Sequence, residues 1–229
     1  MKIHGLQKMT LLDYPGKVAC TVFLGGCDLR CPFCHNAELI DGSAKAVMED
    51  DELLQFLQRR KGLLEGVAIT GGEPTLRQDL PGFLGAIKAL GYPVKLDTNG
   101  MHPEVLKKML DENLVDYVAM DIKNSPEKYA MTCGLETMNL EPLYESIELL
   151  KASGIDYEFR TTVVEELHAL SDFPKIGEMV RGGKAYYLQA FKDRDTVLYG
   201  NFHTPTEKCM KEYLLAVQQF VPNTMLRGI

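Results

Sequence analysis

Short apolar stretches alternate with longer amphipathic segments from residue 17 almost to the C-terminus. The apolar stretches predict strands at Lys17–Leu24, Val67–Thr70, Val94–Thr98, Tyr117–Ile122, Tyr157–Val163 and Tyr186–Ala190. The amphipathic segments predict helices at Asp50–Arg60, Leu80–Leu90, Pro103–Glu112, Pro142–Ala152, Phe173–Val180 and Glu207–Phe220. Strands that alternate with helices are typical of βα units, so the pattern predicts a parallel sheet.

The order of these elements predicts an α/β fold, a partial (β/α)6 TIM-like barrel, with a doubly wound sheet as the alternative. No repeat, low-complexity tract or linker divides the 229 residues, so we expect a single domain over residues 1–229. In a barrel of parallel strands the active site lies at the C-terminal ends of the strands. The residues that follow each predicted strand are therefore the candidate site residues.

Composition narrows the range of partners. The chain carries 32 acidic and 25 basic side chains, for a net charge of -7, so we expect no broad cationic surface and no nucleic-acid partner. The N-terminal segment is interrupted by Lys2, Lys8 and Asp13, and no apolar run approaches the length of a membrane span. These features predict a cytoplasmic protein that does not associate with a membrane.

Three closely spaced cysteines carry the strongest chemical signal. Cys27, Cys31 and Cys34 follow the first predicted strand in a CxxxCxxC pattern, and such clustering in a reducing compartment favours metal ligation over disulfides. A complete protein cage for a four-iron cluster needs four thiolates, so three would leave one iron open for chemistry. A structural zinc site, completed by His35 or a distant cysteine, is the alternative. The other cysteines are interpreted as structural: Cys20, Cys133 and Cys209.

The loop Gly26–Asn36 resembles the cluster-binding loop of the radical S-adenosylmethionine superfamily, in particular the activating enzymes of anaerobic ribonucleotide reductase and pyruvate formate-lyase. The resemblance implies one 4Fe–4S cluster held by the three cysteines and S-adenosylmethionine chelating the open iron. It also implies an electron donor such as flavodoxin or ferredoxin. Cofactor contacts within the loop would come from Phe33, Cys34 and His35.

Two glycines and a carboxylate follow the second predicted strand, in Gly71-Gly72-Glu73-Pro74. The glycines let backbone approach a ligand closely, and a carboxylate accepts hydrogen bonds from an ammonium group. The segment resembles the GGEP motif of the family, which contacts the amino group of S-adenosylmethionine. An ordinary turn is the alternative.

The third and fourth predicted strands end in polar residues that are candidate cofactor ligands: Asp97, Thr98, Asn99, Asp121, Ile122 and Lys123. Resemblance to pyruvate formate-lyase activating enzyme implies that a monovalent cation is bound by Asp97, Thr98, the carbonyl of Ala119 and Asp121. Lys123 would then neutralise the methionyl carboxylate. The alternatives are turn capping by the acidic and amide side chains and a solvated lysine.

Two later strands add candidate residues. Arg160 lies within the fifth predicted strand, where an unpaired guanidinium is costly to bury, so we expect it to face an anion. The family has an arginine in this strand that serves the cofactor. Gln189, at the end of the sixth strand, takes the place of a histidine that pyruvate formate-lyase activating enzyme has near the ribose.

The resemblance implies an enzyme that generates a glycyl radical on a large partner enzyme. His35-Asn36 and the opening segment Leu11–Gly16 resemble activators of anaerobic ribonucleoside-triphosphate reductase. Three alternatives remain: pyruvate formate-lyase activation, a small-molecule reaction as in 7-carboxy-7-deazaguanine synthases, and a non-enzymatic metal-binding module.

Overall fold

A computed structural model describes residues 1–40, 44–194, 197 and 199–229. The chain folds into two compact units. The first unit comprises Met1–Asp28, Glu38–Thr98 and His102–Val118. The second unit comprises Leu29–Ala37, Asn99–Met101 and Ala119–Ile229.

The strands are β1 (Lys2–Ile3), β2 (Gly5–Thr10), β3 (Ala19–Leu24), β4 (Met48–Glu49), β5 (Gly66–Gly71), β6 (Val94–Thr98), β7 (Tyr117–Asp121), β8 (Asp156–Val163), β9 (Tyr186–Ala190) and β10 (Thr224–Arg227). The α-helices are α1 (Ala37–Ile40), α2 (Asp50–Arg59), α3 (Leu80–Ala89), α4 (Pro103–Asp111), α5 (Tyr129–Thr132), α6 (Glu141–Ala152), α7 (Phe173–Met179) and α8 (Glu207–Gln218). One-turn 3-10 helices lie at Pro74–Leu76, Pro126–Lys128 and Leu170–Asp172.

The first unit is built on parallel strands. β3 pairs in parallel with β5, β5 pairs in parallel with β6, and β2 pairs with β3 in the antiparallel direction. Side chains on β3 and β5 are buried on both faces, as a parallel sheet covered on both sides requires. α2 begins with three acidic residues and ends at Arg59, which suits the helix dipole.

The second unit continues the βα pattern. β7 begins in the first unit and ends in the second, while β8 pairs in parallel with β9 and β9 with β10. Large buried side chains such as Phe159, Tyr186 and Phe173 fill its core. Phe173 also stacks on Tyr213 of α8, with ring centroids 4.1 Å apart, so α8 is held against α7 by aromatic packing.

The predicted α/β fold with parallel strands is confirmed. β6 and β9 have the predicted bounds, and the other predicted elements differ at their ends by one to two residues. The count of six strands was wrong, because the described residues also form β2 and β10 and the two-residue strands β1 and β4. β2 presents Gln7, Lys8 and Met9 to solvent, so it lacks the apolar signal of a buried strand. No described helix is long and apolar enough to cross a membrane.

Candidate active site

Backbone hydrogen bonds within the first unit hold the start of the cysteine loop, directly after β3. The Gly26 amide donates to the Leu39 carbonyl at 2.7 Å, and the Cys27 amide donates to the Ile40 carbonyl at 3.0 Å. Leu39 and Ile40 both belong to α1. The short helix α1 thus fixes the backbone of Cys27.

Gly71 and Gly72, at the end of β5, pack directly against the start of the cysteine loop. A Cβ on Gly72 would lie 2.0 Å from the Gly26 carbonyl oxygen, and a Cβ on Gly71 would lie 2.2 Å from the Leu24 carbonyl oxygen. Gly71 also has φ +123°, which L side chains rarely adopt. The Glu73 amide donates to the Gly26 carbonyl at 2.7 Å. Glycine is therefore required at both positions so that this turn can lie on the cysteine loop.

Glu73 is a buried capping carboxylate, with 1% of its surface exposed. Its Oε1 accepts from the Thr75 amide at 3.0 Å, the Thr75 hydroxyl at 2.5 Å and the Thr98 hydroxyl at 2.9 Å. The first unit thus brings together two sequence-predicted site residues, Glu73 and Thr98, by a direct hydrogen bond. The turn interpretation of this segment also holds, because Glu73 caps the following 3-10 helix.

Asp97 has a partner that the sequence analysis missed. The ammonium group of Lys95, two residues earlier on the same face of β6, donates to Asp97 Oδ1. The Lys95 side chain is 3% exposed and the Asp97 side chain 17%. A lysine between Val94 and Leu96 in a buried strand was the available signal, because a buried ammonium group needs an anion.

A histidine and an aspartate meet beside the first cysteine. His102 Nε2 lies 3.0 Å from Asp28 Oδ2, and the two side chains are 24% and 30% exposed. The hydrogen bond from the imidazole to Asp28 raises the pKa of His102 above its ordinary value. His102 immediately precedes α4 and was not among the sequence-predicted site residues.

Cys31 and Cys34 lie in the second unit. The Cys34 amide donates to the Cys31 carbonyl at 3.1 Å, and the Asn36 amide donates to Cys34 Sγ at 3.4 Å. A hydrogen bond with the Cys133 side chain lowers the pKa of Cys31 to about 7 against its burial, and Lys123 contributes in the same direction. Burial instead raises the pKa of Cys34. The surroundings of Cys31 thus favour a thiolate more than those of Cys34 do.

Cys133 contacts the cysteine loop as well as filling space. The Arg30 amide donates to the Cys133 carbonyl at 2.9 Å, and a Cβ on Gly134 would lie 2.2 Å from the Arg30 carbonyl oxygen. Cys20, in contrast, is fully buried in β3, and burial raises its pKa to about 12, as expected of an apolar core cysteine. All six cysteines lie in the described residues, and none forms a disulfide.

The end of the cysteine loop packs on aromatic rings. His35 stacks on Phe191 with centroids 5.2 Å apart, and Phe33 meets the same ring edge-on at 6.5 Å. His35 Nε2 also lies 2.7 Å from the Lys192 carbonyl oxygen, which accepts the imidazole proton. His35 is thus held in place by both a ring contact and a hydrogen bond.

Asp121, Lys123 and Arg160 form an ion cluster in the second unit. Arg160 Nε donates to Asp121 Oδ1 at 2.8 Å, and Lys123 Nζ donates to Asp121 Oδ2 at 2.9 Å. Burial would raise the pKa of Asp121, but the two cations hold it well below its usual range. The anion expected to face Arg160 is therefore a side chain of the protein itself, and two cations share one carboxylate.

The backbone of Lys123 is held by a buried histidine that sequence analysis did not identify. The Val164 amide donates to His168 Nδ1 at 3.1 Å, which leaves Nε2 to donate to the Lys123 carbonyl at 2.9 Å. Burial lowers the pKa of His168, so the imidazole stays neutral in this tautomer. His168 lies beyond β8, in a loop, where the strand-end rule gives no signal.

The remaining candidate residues in the second unit are Asn99, Ile122 and Gln189. Asn99 Oδ1 accepts from the Met101 amide at 2.9 Å and so caps a turn. The Ile122 carbonyl accepts from the Thr161 hydroxyl at 2.6 Å. Gln189 lies on β9 in register with Arg227 of β10. Among the described residues, no three His, Cys, Asp or Glu side chains form a group that could hold a single metal ion.

A family model described as the Radical SAM superfamily matches residues 21–168, which include the cysteine loop and the strand ends up to His168. The chain belongs to the radical SAM superfamily. Membership of this superfamily implies a 4Fe–4S cluster and S-adenosylmethionine as cofactors, and it favours the cluster over a structural zinc site. The matched range contains Cys27, Cys31 and Cys34.

Named relatives narrow the resemblance within this radical SAM family. A provisionally named glycyl-radical enzyme activating enzyme of Methanocaldococcus jannaschii is 30% identical over 237 residues, covering 99% of this chain and 96% of the relative. The pyruvate formate-lyase-activating enzyme of Listeria monocytogenes is 34% identical over 142 residues, 56% of each protein. This chain is thus a homologue of glycyl-radical enzyme activating enzymes.

A solved structure supports the predicted fold. SuiB of Streptococcus suis, bound to S-adenosylmethionine, superposes with a TM-score of 0.64 at 13% identity, covering 91% of this chain and 52% of SuiB. At this identity the likeness concerns the fold. It agrees with the parallel strands of both units and with the expected partial barrel of a radical SAM protein.

Proposed function

We propose that this chain, acting as a single domain in the cytoplasm, uses one 4Fe–4S cluster and S-adenosylmethionine to install a glycyl radical on anaerobic ribonucleoside-triphosphate reductase. The observation that carries the proposal is the match over 99% of the chain to a protein named for glycyl-radical enzyme activation. His35-Asn36 and Leu11–Gly16 support the choice of the reductase, by resemblance. A flavodoxin or ferredoxin would supply the electron.

The cofactors would supply the radical chemistry. When bound, these cofactors would supply one-electron reductive cleavage of a sulfonium C–S bond, with release of methionine, and removal of a hydrogen atom from the α-carbon of one glycine in the partner to give 5'-deoxyadenosine. The protein's contribution is binding, orientation and exclusion of water.

The cluster would be held by the thiolates of Cys27, Cys31 and Cys34. The donor set fits this role, because thiolate sulfur is the usual ligand of iron–sulfur clusters and Cys31 has a lowered pKa. Gly71 and Gly72 allow the turn after β5 to lie against the loop without a side chain between them.

The methionyl carboxylate would be bound by the second-unit cations. Lys123 and Arg160 share Asp121, so this ion cluster carries an excess positive charge that a second carboxylate can neutralise. The buried carboxylate of Glu73 already accepts three hydrogen bonds at Oε1. We therefore assign Glu73 the role of shaping the turn after β5. This turn would meet the amino group of S-adenosylmethionine with both backbone and side-chain groups.

The test is an anaerobic assay of the reconstituted protein with S-adenosylmethionine, reductant and purified anaerobic reductase. We expect 5'-deoxyadenosine, methionine and an oxygen-sensitive glycyl signal in the electron paramagnetic resonance spectrum of the reductase. A glycyl signal in pyruvate formate-lyase instead would reassign the partner. Turnover of a pterin without a protein radical would overturn activation in favour of a small-molecule reaction.

A cysteine series separates cluster chemistry from general damage. Replacing Cys27, Cys31 and Cys34 together by alanine should abolish iron binding and 5'-deoxyadenosine formation. Cys209→Ala, on helix α8, is the matched control and should leave both intact. Reductive formation of 5'-deoxyadenosine by the triple variant would refute the assignment of the cluster ligands.

A further inference from the structure

The carboxylates expected to bind a monovalent cation already carry side-chain cations. In the first unit, Lys95 Nζ donates to Asp97 Oδ1. In the second unit, Arg160 and Lys123 donate to the two different oxygens of Asp121, at 2.8 and 2.9 Å. Each acidic ligand of the expected cation set is therefore paired within its own unit.

Burial and strand geometry both stabilise the Lys95–Asp97 ion pair. Lys95 is 2% exposed, so water cannot easily replace Asp97 as its partner, and separating the two groups would leave a buried ammonium charge at high cost. Asp97 lies two residues further along the same face of β6, which keeps the two groups adjacent by strand geometry. Removing the Lys95 ammonium group would take this neutralising charge away from the Asp97 carboxylate.

Thr98, the other cation ligand expected from β6, also has a defined role. Its hydroxyl donates to Glu73 Oε1 at 2.9 Å, so the hydroxyl is oriented towards the turn after β5. A potassium or sodium ion at these groups would meet a fixed positive charge in Lys95. Two like charges that close to each other repel, so the ion would bind there less favourably.

We infer that the ammonium group of Lys95 takes the place of the monovalent cation expected from the family resemblance, so that the protein works without added potassium or sodium. Lys95 is thus a positioning residue that holds Asp97 neutralised in the first unit. The inference rests on the proposed use of S-adenosylmethionine.

The test measures S-adenosylmethionine affinity by equilibrium dialysis on the cluster-loaded protein, in buffers whose cation is either potassium or bulky tetraethylammonium. The wild-type affinity should be the same in both buffers. Lys95→Met should weaken binding by roughly tenfold or more in tetraethylammonium, the effect of one charge-assisted hydrogen bond, and potassium should restore it. Formation of 5'-deoxyadenosine should follow the same pattern.

Two variants serve as controls. Lys88→Met removes a different, partly exposed lysine–aspartate pair of the first unit, in which Lys88 Nζ lies 2.6 Å from Asp116 Oδ1, and should change neither affinity nor cation dependence. Lys95→Arg keeps the charge and should stay independent of potassium. Thermal melting of each variant distinguishes lost binding from lost folding.

Three outcomes are decisive. A wild-type protein whose affinity rises with potassium overturns the inference, even if Lys95→Met does not fold. A folded Lys95→Met variant that binds equally well in both buffers also overturns it. If the wild-type protein binds no S-adenosylmethionine in either buffer, the proposed function fails instead.

Discussion

The turn after β5 offers a sharp test of the packing at the cysteine loop. In Gly72→Ala, the new Cβ would lie 2.0 Å from the Gly26 carbonyl oxygen and 3.4 Å from the Cys27 Cβ. To reach even 3.0 Å, the two backbone segments must separate by about 1 Å, because neither partner is a flexible side chain. That movement would strain or break the 2.7 Å hydrogen bond from the Glu73 amide to Gly26.

The expected cost follows from those two effects. Overpacking of a rigid site costs about 1–3 kcal/mol, and a lost backbone hydrogen bond adds about 1 kcal/mol, so we expect a loss of about 2–4 kcal/mol. Gly85→Ala is the matched control. Gly85 lies inside α3 with a single ordinary contact at 3.9 Å, so alanine there should add up to about 1 kcal/mol through helix propensity.

Equilibrium urea unfolding under anaerobic conditions measures both variants. Iron content after reconstitution provides a second measurement, because the displaced backbone leads directly into Cys27. We expect Gly72→Ala to bind less iron than Gly85→Ala. A Gly72→Ala protein within about 0.5 kcal/mol of the wild type, with normal iron content, would refute the close packing described for this turn.

Three further substitutions test interactions in the second unit. Glu158→Gln should cost about 1–3 kcal/mol, because the carboxylate is 1% exposed and receives two bonds from the partly exposed Arg227, and a double-mutant cycle with Arg227→Met would measure the coupling. His168 has a lowered pKa in the folded state, so the unfolded chain binds a proton first. Stability should therefore fall as pH drops from about 6.5 towards that lowered value, and His168→Gln should flatten this slope in urea midpoints. Tyr186→Phe should cost about 1 kcal/mol in thermal melts by removing the hydroxyl paired with Thr161, and an unchanged melting temperature would contradict that bond.

Regular elements were predictable because their signals are local. In β6 and β9 a short group of apolar residues lies between turn residues. Both strands have the predicted bounds. β10 was not predicted, because a strand of four residues with one buried position has almost no periodic pattern of apolar residues. Its existence depends on pairing with β9, a contact between distant parts of the chain.

The candidate residues were predictable to a different degree. Asp97 and Asp121 follow from the rule that strand ends carry function, and Arg160 follows from the cost of burying an unpaired guanidinium within a strand. The partners of these three residues do not follow from either rule. Lys95 precedes the strand end, and its role becomes visible when β6 places it on the same face as Asp97. Cys133 was interpreted as structural, yet it contacts Cys31, which is 102 positions earlier, and no spacing rule links them.

The hydrogen bond from His168 to the Lys123 carbonyl has a consequence for recognition. A lysine side chain ordered by its ligand loses conformational freedom at the moment of binding, at about 0.5–1.5 kcal/mol for each immobilised side chain. Here the backbone of Lys123 is anchored at 2.9 Å by His168 and its ammonium group by Asp121 before any ligand arrives. If Lys123 binds the methionyl carboxylate as proposed, much of that entropy is already lost during folding, and His168 contributes to affinity by keeping Lys123 preorganised.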